Sequence, residues 1–425
     1  MIAAVCALRM DIAVVVEPDE ASAKVLFTGT LIVASVVGIV LGLIICGTVS
    51  LLGVHEWHGG SLSWSALWLA AWLPQPTLQA WLIRHGRFGI AAASNAVTVA
   101  GSNLAQLGLA GLGYDQLGLI AGSAMAAIGG TVVAAAPILK NRDLGALDIN
   151  EFRSLFVRHI RFLKYSVPFT ILSLARERAA VLVLSAFGSL AQVGVYSQAL
   201  RISSLPGGLA GAAIRPVIFH TISREGIRVA APQISLLVRG LALTSAPWIG
   251  LFLYDPIFIF TALLGEKWSE AGLFGALMTA PAFAFLLTGW LDRAVDAVGR
   301  QDLNLKTQAI ASLGSVGTFA AFLICFQNLF VATVAQSVVL SLAYILFLTT
   351  AFREFGLARW QLVKIFIAAV ALATVPFGIA ILIKGVAGPV SGLIAGGGVA
   401  AVTTGLVVIY LHRSVKRIAH TVAGG

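Results

Sequence analysis

Three consecutive charged residues, Arg176-Glu177-Arg178, interrupt an apolar stretch at residues 165–187, and Arg201 and Arg239 fall inside the two stretches that follow. If these stretches cross a bilayer, each charge at mid-depth costs about 2.5–3.5 kcal/mol on insertion scales, so three facing lipid would cost about 8–10 kcal/mol. That would cancel most of the insertion energy of the Ile, Leu and Val around them. Such groups must face protein or a water-filled space, where guanidinium ions bind anions. Residues two apart on a helix point to nearly opposite sides. One of Arg176 and Arg178 can therefore pair with Glu177 or a neighbouring helix while the other projects into a cavity; the sequence leaves open which. The competing interpretation is a structural ion pair. Arg201 is mid-stretch between Tyr196 and Pro206, whereas Arg239 lies near the start of its stretch, where its long side chain can snorkel. Asp255, followed by Pro256, is read as a helix-end residue, with a coupling-ion role as the alternative. Cations outnumber acids in this set, so an anionic ligand fits better than a cationic one.

Chemistry beyond binding finds no support. Cys6, Cys46 and Cys325 are isolated, and no metal site or cofactor is indicated. Asp292 and Asp296, with Asp302 further on, faintly suggest the acidic metal sites of membrane prenyltransferases, but no second acidic motif accompanies them. The only compact polar cluster on the opposite side, His55, Glu56 and His58, reads as a solvated turn. No catalytic residue is assigned and an enzyme is not expected, because acid/base or metal chemistry needs side chains held in a substantial loop or domain.

The elements that must position these charges are membrane helices. The chain is 59% hydrophobic and 11% charged, with a mean hydropathy of +0.94, which is incompatible with a water-soluble surface of this size. Crossing the hydrocarbon takes roughly 20 apolar residues as a helix. Twelve stretches qualify: about 25–53, 62–82, 88–111, 117–139, 165–187, 192–213, 234–262, 271–291, 306–326, 329–351, 361–383 and 390–411. With these spans, 22 of the 28 Lys and Arg fall in alternate connections, including both termini. Only Lys267 and Lys384 fall in the other set, and four arginines lie inside the spans. Positive residues are retained on the cytoplasmic side. The expectation is an all-α polytopic protein of the bacterial inner membrane with both ends cytoplasmic. The net charge of +10 is then mostly the sum of the cytoplasmic connections and gives no reason to expect nucleic acid as a partner. Met1–Leu8 lacks a basic leader.

The longest internal connection, Lys140–Lys164, carries six cations. Within Glu151–Lys164, Phe152, Leu155, Phe156, His159 and Phe162 follow helical spacing, a pattern for an interfacial helix on anionic lipid or for a plain tether. This connection divides the chain into a first bundle at 1–139, the linker 140–164, a second bundle at 165–351, and two further helices with a basic tail at 352–425. Gly38 with Gly42, Gly118 with Gly122 and Gly207 with Gly211 have the four-residue spacing that lets helices approach closely. Pro74, Pro76, Pro168, Pro206, Pro247 and Pro281 are candidate kinks.

Several segments, in order, resemble the oligosaccharide-lipid flippases of bacterial polysaccharide biosynthesis. These belong to the multidrug/oligosaccharidyl-lipid/polysaccharide exporter superfamily, which also contains the multidrug and toxic-compound extruders (MATE). Ala7–Ala21 resembles the connection after that family's second helix, with Met10 and Asp11 replacing the usual Tyr and Glu before a strand-like run. Arg84–Gly89 resembles an Arg-x-x-Arg-Phe helix start, and Tyr165–Pro168 the opening of the second bundle. Val193–Tyr196, Arg201 and Leu205-Pro206 match a Gly-x-Tyr, Arg and Pro pattern, followed by Arg215–Phe219. Leu264–Ala271 and Ala297–Arg300 resemble the next outer and inner loops. The resemblance covers nearly the whole chain. It implies two bundles around a central cavity. Because that family commonly has fourteen helices, the twelve stretches become helices three to fourteen, with Met1–Leu8 a remnant of helix two and the first two helices missing, a genuine twelve-helix relative being the alternative. It also implies alternating-access transport of an undecaprenyl-pyrophosphate-linked oligosaccharide, with Arg176, Arg178, Arg201 and Arg239 along the anion's route. Glu177 and Asp255 become coupling or ion-pair residues. Partners are membrane lipids and the polymerase and glycosyltransferases of the same pathway. An antiporter of cationic drugs, from the same superfamily, is the alternative; it calls for buried carboxylates, and only Glu177 is well placed.

Overall fold

The computed structural model describes residues 7–51, 59–114 and 116–423, and no strand occurs among them. The helices in chain order are α1 (Met10–Val16), α2 (Glu20–Leu51), α3 (Gly59–Trp72), α4 (Gln75–Arg84), α5 (Phe88–Gly111), α6 (Gln116–Lys140), α7 (Ile149–Arg158), α8 (Val167–Phe187) and α9 (Leu190–Glu225). They continue as α10 (Ile227–Tyr254), α11 (Pro256–Leu264), α12 (Ser269–Leu277), α13 (Thr279–Thr288), α14 (Leu291–Ala297), α15 (Gln301–Phe326), α16 (Leu329–Glu354), α17 (Trp360–Ala387) and α18 (Pro389–Ala423). The chain is an all-α, polytopic membrane protein. Cys6, most of the Met1–Leu8 segment and the cluster His55, Glu56 and His58 lie outside the described residues.

Among the described residues, eight helices are long and apolar enough to cross a membrane: α2, α6, α9, α10, α15, α16, α17 and the first part of α18. The bent pair Glu266–Leu277 and Thr279–Ala297 makes a ninth if it is one crossing. The other three expected spans differ for physical reasons. Residues 62–82 break at Leu73-Pro74, because proline cannot donate the next helical hydrogen bond. Residues 88–111 are one helix, α5, made less hydropathic by Ser, Asn and Gln. Residues 165–187 are one helix, α8, whose centre is Arg176-Glu177-Arg178. Pro206 and Pro247 sit inside continuous helices, so neither breaks its element. The apolar surface of α2 stays exposed, with Leu43 at 64%, as suits a lipid-facing helix.

The chain forms two compact units. The first comprises residues 7–171, 219–224 and 299–305. Its core stacks Phe27 on Trp81 at 4.6 Å, with Met10, Ile12, Leu26 and Leu73 buried around them. The segment expected to be strand-like is instead the short helix α1, which packs on α2 and α4. At Gly42 and Gly122 an added Cβ would meet Ala66 at 2.9 Å and the Gln106 nitrogen at 2.8 Å, so both glycine pairs bring helices into close contact. The amphipathic piece is α7 with the turn that follows it, and its apolar face is covered by protein rather than lipid: Leu155 of α7 and Phe162 of the turn are buried, and the Phe152 ring lies against Gly29 of α2. His159 Nε2 is 2.7 Å from the Glu17 carboxylate, while Arg153 and Arg161 remain exposed.

The second unit comprises residues 172–218, 225–298 and 306–423. Ala180, Leu184, Tyr196, Phe260, Phe274, Phe319 and Leu323 form one apolar cluster, within which the Tyr196 hydroxyl donates to Gln336 at 2.6 Å. The helices α10, α17 and α18 pack mutually.

Candidate functional site

The charged triplet sits on an unbroken helix. Along α8, Arg176 lies eleven residues before the last residue, Phe187, and along α9 Arg201 lies eleven residues after the first, Leu190, the two ends being joined by the hairpin at Gly188-Ser189. At 1.5 Å per residue both are about 16 Å from that hairpin, close to the middle of a hydrocarbon core about 30 Å thick. Depth therefore matches between the two helices.

Arg176 and Arg178 diverge as the helical period demands. Arg176 is half-buried, donates from Nη1 to the Tyr344 hydroxyl of α16, and lies 5.5 Å from the Tyr344 ring centroid. That ring in turn packs at 5.7 Å against Phe285 of α13. Phe285 reaches Gly207 of α9, where an added Cβ would come within 2.5 Å of it. Arg178, Glu177 and Arg201 are exposed. Arg239 is exposed too and stacks over Tyr410 of α18 at 4.9 Å, so its partner lies on the C-terminal hairpin rather than on α16. Among the described residues, none of these four arginines makes an ion pair. Asp255 caps α11, accepting from the Phe258 nitrogen at 3.0 Å, and lies 3.5 Å from Lys384 Nζ.

Cations elsewhere are treated differently. Arg84 has no exposed side-chain surface; it donates to the Val14 and Glu17 carbonyls at 2.8 and 2.6 Å and to Glu20 Oε2 at 2.9 Å. Glu20 also lies 3.0 Å from His85 Nε2 and 3.9 Å from Arg224. Just before it, Asp19 accepts the Ser22 backbone N–H at 2.7 Å, which holds its carboxyl below the usual range. Arg215 pairs with Asp292 at 3.0 Å, and Arg293 with Asp296 at 3.2 Å. Those aspartates, the suspected metal motif, are thus engaged by arginines, and no group of metal-binding side chains occurs among the described residues. The Arg84 hub and the Tyr344 contact escaped the sequence. The one signal for the former was the Arg-x-x-Arg-Phe pattern beginning at Arg84; nothing in the local pattern marked Tyr344.

No family profile and no curated protein matches the chain by sequence. Solved structures do match by shape. The Vibrio cholerae MATE transporter VcmN in its bent form aligns with a TM-score of 0.62 at 15% identity, over 84% of this chain and 86% of its own. The lipid II flippase MurJ, inward closed, aligns with a TM-score of 0.60 at 14% identity, over 97% of this chain and 92% of its own. This is a MATE- and MurJ-like transporter fold. A MOP superfamily transporter from Pyrococcus furiosus, described as having a binding pocket of reversed polarity, aligns with a TM-score of 0.58 at 15% identity, over 84% of this chain and 85% of its own.

Proposed function

We propose that the protein is a flippase that moves undecaprenyl-pyrophosphate-linked oligosaccharide across the bacterial inner membrane for surface polysaccharide assembly, with both termini cytoplasmic. The carrying observation is that Arg176, Arg178 and Arg201 sit near mid-depth with no carboxylate partner among the described residues, whereas Arg84, Arg215 and Arg293 are all ion-paired. A protein that satisfies its structural arginines with acids, and leaves these three without them, has reserved positive charge for a ligand. A diphosphate with acidic or neutral sugars needs such a cationic route, while its prenyl tail can stay in lipid. Arg239 extends the set toward the C-terminal hairpin.

Coverage supports the lipid-linked substrate over the drug antiporter. MurJ aligns over 97% of the chain and VcmN over 84%, a difference of about 55 residues, the length of two crossings. The antiporter also calls for carboxylates facing the route, and among the described residues of the Arg176–Arg201 region Glu177 is the one exposed carboxylate.

The test is a stably expressed variant carrying Arg176→Gln, Arg178→Gln and Arg201→Gln. Surface polysaccharide should fall and the unflipped lipid-linked intermediate should accumulate in the inner leaflet. Wild-type polysaccharide levels, or drug resistance conferred on expression without a polysaccharide phenotype, would overturn the assignment.

A further inference from the structure

A pocket of about 300 Å³ lies in the second unit at the first turns of α9, α12 and α16. Its polar lining is Gln192, Glu270, Gln327 and Asn328, and its apolar lining includes Phe274 and Phe330. Three helix N-termini meet there, and their partial positive charge is opposed by Glu270, the single charged side chain in the lining. The amides are held in place by their oxygens: Gln192 Oε1 accepts the Ser189 nitrogen at 2.9 Å, and Asn328 Oδ1 accepts the Val331 nitrogen at 3.2 Å. Their N–H₂ groups are engaged by no described residue. Gln327 is held at φ 49, a left-handed conformation that costs a non-glycine residue about 1–2 kcal/mol.

We propose that this pocket binds a neutral, hydroxyl-rich sugar ring. Hydroxyl groups both donate and accept, so a lining with amide donors on two sides and one carboxylate acceptor can satisfy them, while the phenyl groups cover C–H faces. The lining holds no cation, so a diphosphate has nothing to pair with there. The size is at the lower end for ligand pockets and suits a single ring. Residues 188–189 and 327–328, which flank the pocket, belong to the connections that the charge asymmetry assigns to the outer side. The sugar's role as exported headgroup thus rests on the flippase reading, whereas the binding itself does not. Nine residues separate Gln192 from Arg201, two and a half helical turns, so the two side chains leave α9 on opposite faces. The sugar pocket and the arginines are separate sites.

The experiment is saturation-transfer NMR on the full chain in lipid nanodiscs, with the neutral methyl glycosides of glucose, galactose and N-acetylglucosamine as probes and inorganic pyrophosphate as competitor. Transfer to the ring protons of at least one glycoside is expected, unaffected by pyrophosphate. It should fall about five-fold or more in Glu270→Gln, which replaces the charged acceptor with a neutral amide, and in Gln192→Ala, which removes an amide donor. Gln327→Gly removes its side chain while relieving the left-handed backbone, so its transfer should fall without loss of thermal stability. The variant with three arginines replaced should retain wild-type transfer. No transfer to any of the three sugars, equal transfer in folded Gln327→Gly and wild type, or displacement by pyrophosphate would overturn the site. Wild-type polysaccharide in the arginine variant alongside intact sugar transfer would sink the flippase reading and leave the pocket standing.

Discussion

The Arg176 guanidinium lies over the Tyr344 ring, 5.5 Å from its centroid, and also donates to the Tyr344 hydroxyl. A mid-depth cation is thereby held by a neutral partner, which steadies its position without cancelling its charge. A cation over an aromatic face gains about 2 kcal/mol when desolvated, less than the roughly 2.5–3.5 kcal/mol that leaving it in hydrocarbon costs on insertion scales. Position and charge can therefore be separated by mutation. Tyr344→Phe keeps the ring and removes the acceptor, so it should lower stability by about 1–3 kcal/mol, read as a lower midpoint of thermal unfolding in detergent. Surface polysaccharide in that variant should remain close to wild type. Arg176→Gln breaks the same hydrogen bond, so its unfolding midpoint should fall as well, but it also removes the charge and should reduce polysaccharide. Equal polysaccharide loss in both variants would show that the hydroxyl, not the charge, is what matters.

Arg84 presents the opposite design, a fully buried guanidinium that ties α1 and the start of α2 to α4. Its planar fork reaches two backbone carbonyls and Glu20 at once, which a lysine ammonium cannot do in the same geometry. Arg84→Gln leaves the Val14 and Glu17 carbonyls without their buried donor, and each buried acceptor left unpaired costs about 1–3 kcal/mol. Glu20 is half exposed and keeps His85 and Arg224 beside it. Arg84→Lys should fall between the wild type and Arg84→Gln. Thermal unfolding of the purified chain, or the yield of folded protein in the membrane, checks the order. A lysine variant as stable as wild type would mean that one donor suffices.

The two best-read features of the sequence were the apolar spans and the isolation of Arg176-Glu177-Arg178, because hydropathy and charge are local properties. The break at Leu73-Pro74 was equally local: two prolines stood in the pattern. What stayed hidden was partnership. Tyr344 lies 168 residues from Arg176, and α1, strand-like only by the family resemblance, is a helix buried against α2 and α4 even though Val14, Val15 and Val16 favour strands. The periodicity of α7 was legible, yet a hydrophobic stripe does not say whether lipid or protein covers it. Gly29, which admits the Phe152 ring, settles that from 123 residues away.

That contact gives a third prediction. An added Cβ at Gly29 would lie 2.3 Å from the Phe152 ring, so Gly29→Ala must displace the ring and loosen α7 from α2. Overpacking of this size costs about 1–3 kcal/mol. Trypsin should then cut after the exposed Arg153 and Arg161 several-fold faster in the variant, while cleavage elsewhere is unchanged. Combining Gly29→Ala with Phe152→Leu should restore most of the protection, because residues in contact are not additive. Unchanged cleavage in Gly29→Ala would show that α7 is not held through this ring.

The C-terminal hairpin offers a sharper contrast between two glycines of one helix. On α10, a Cβ added at Gly250 would sit 1.9 Å from the Ala373 carbonyl oxygen of α17, a rigid backbone atom. At Gly240 it would meet only the end of the Leu411 side chain, at 3.4 Å. Small residues at such crossings let membrane helices pack backbone to backbone, and no side-chain rotation can relieve a clash with a carbonyl. Gly250→Ala must therefore push α17 away from α10, with a loss of about 3 kcal/mol or more, at the top of the overpacking range. Gly240→Ala should change stability by less than about 0.5 kcal/mol. The same displacement would strain the Lys384–Asp255 pair and the Trp248–Thr404 hydrogen bond, which join α17 and α18 to the α10–α11 segment. A cysteine pair built across α10 and α17 near Gly250 should cross-link readily in the Gly240→Ala background and poorly in Gly250→Ala. Similar cross-linking in both would mean that the helices tolerate the methyl group and that the close approach at Gly250 does not hold the hairpin.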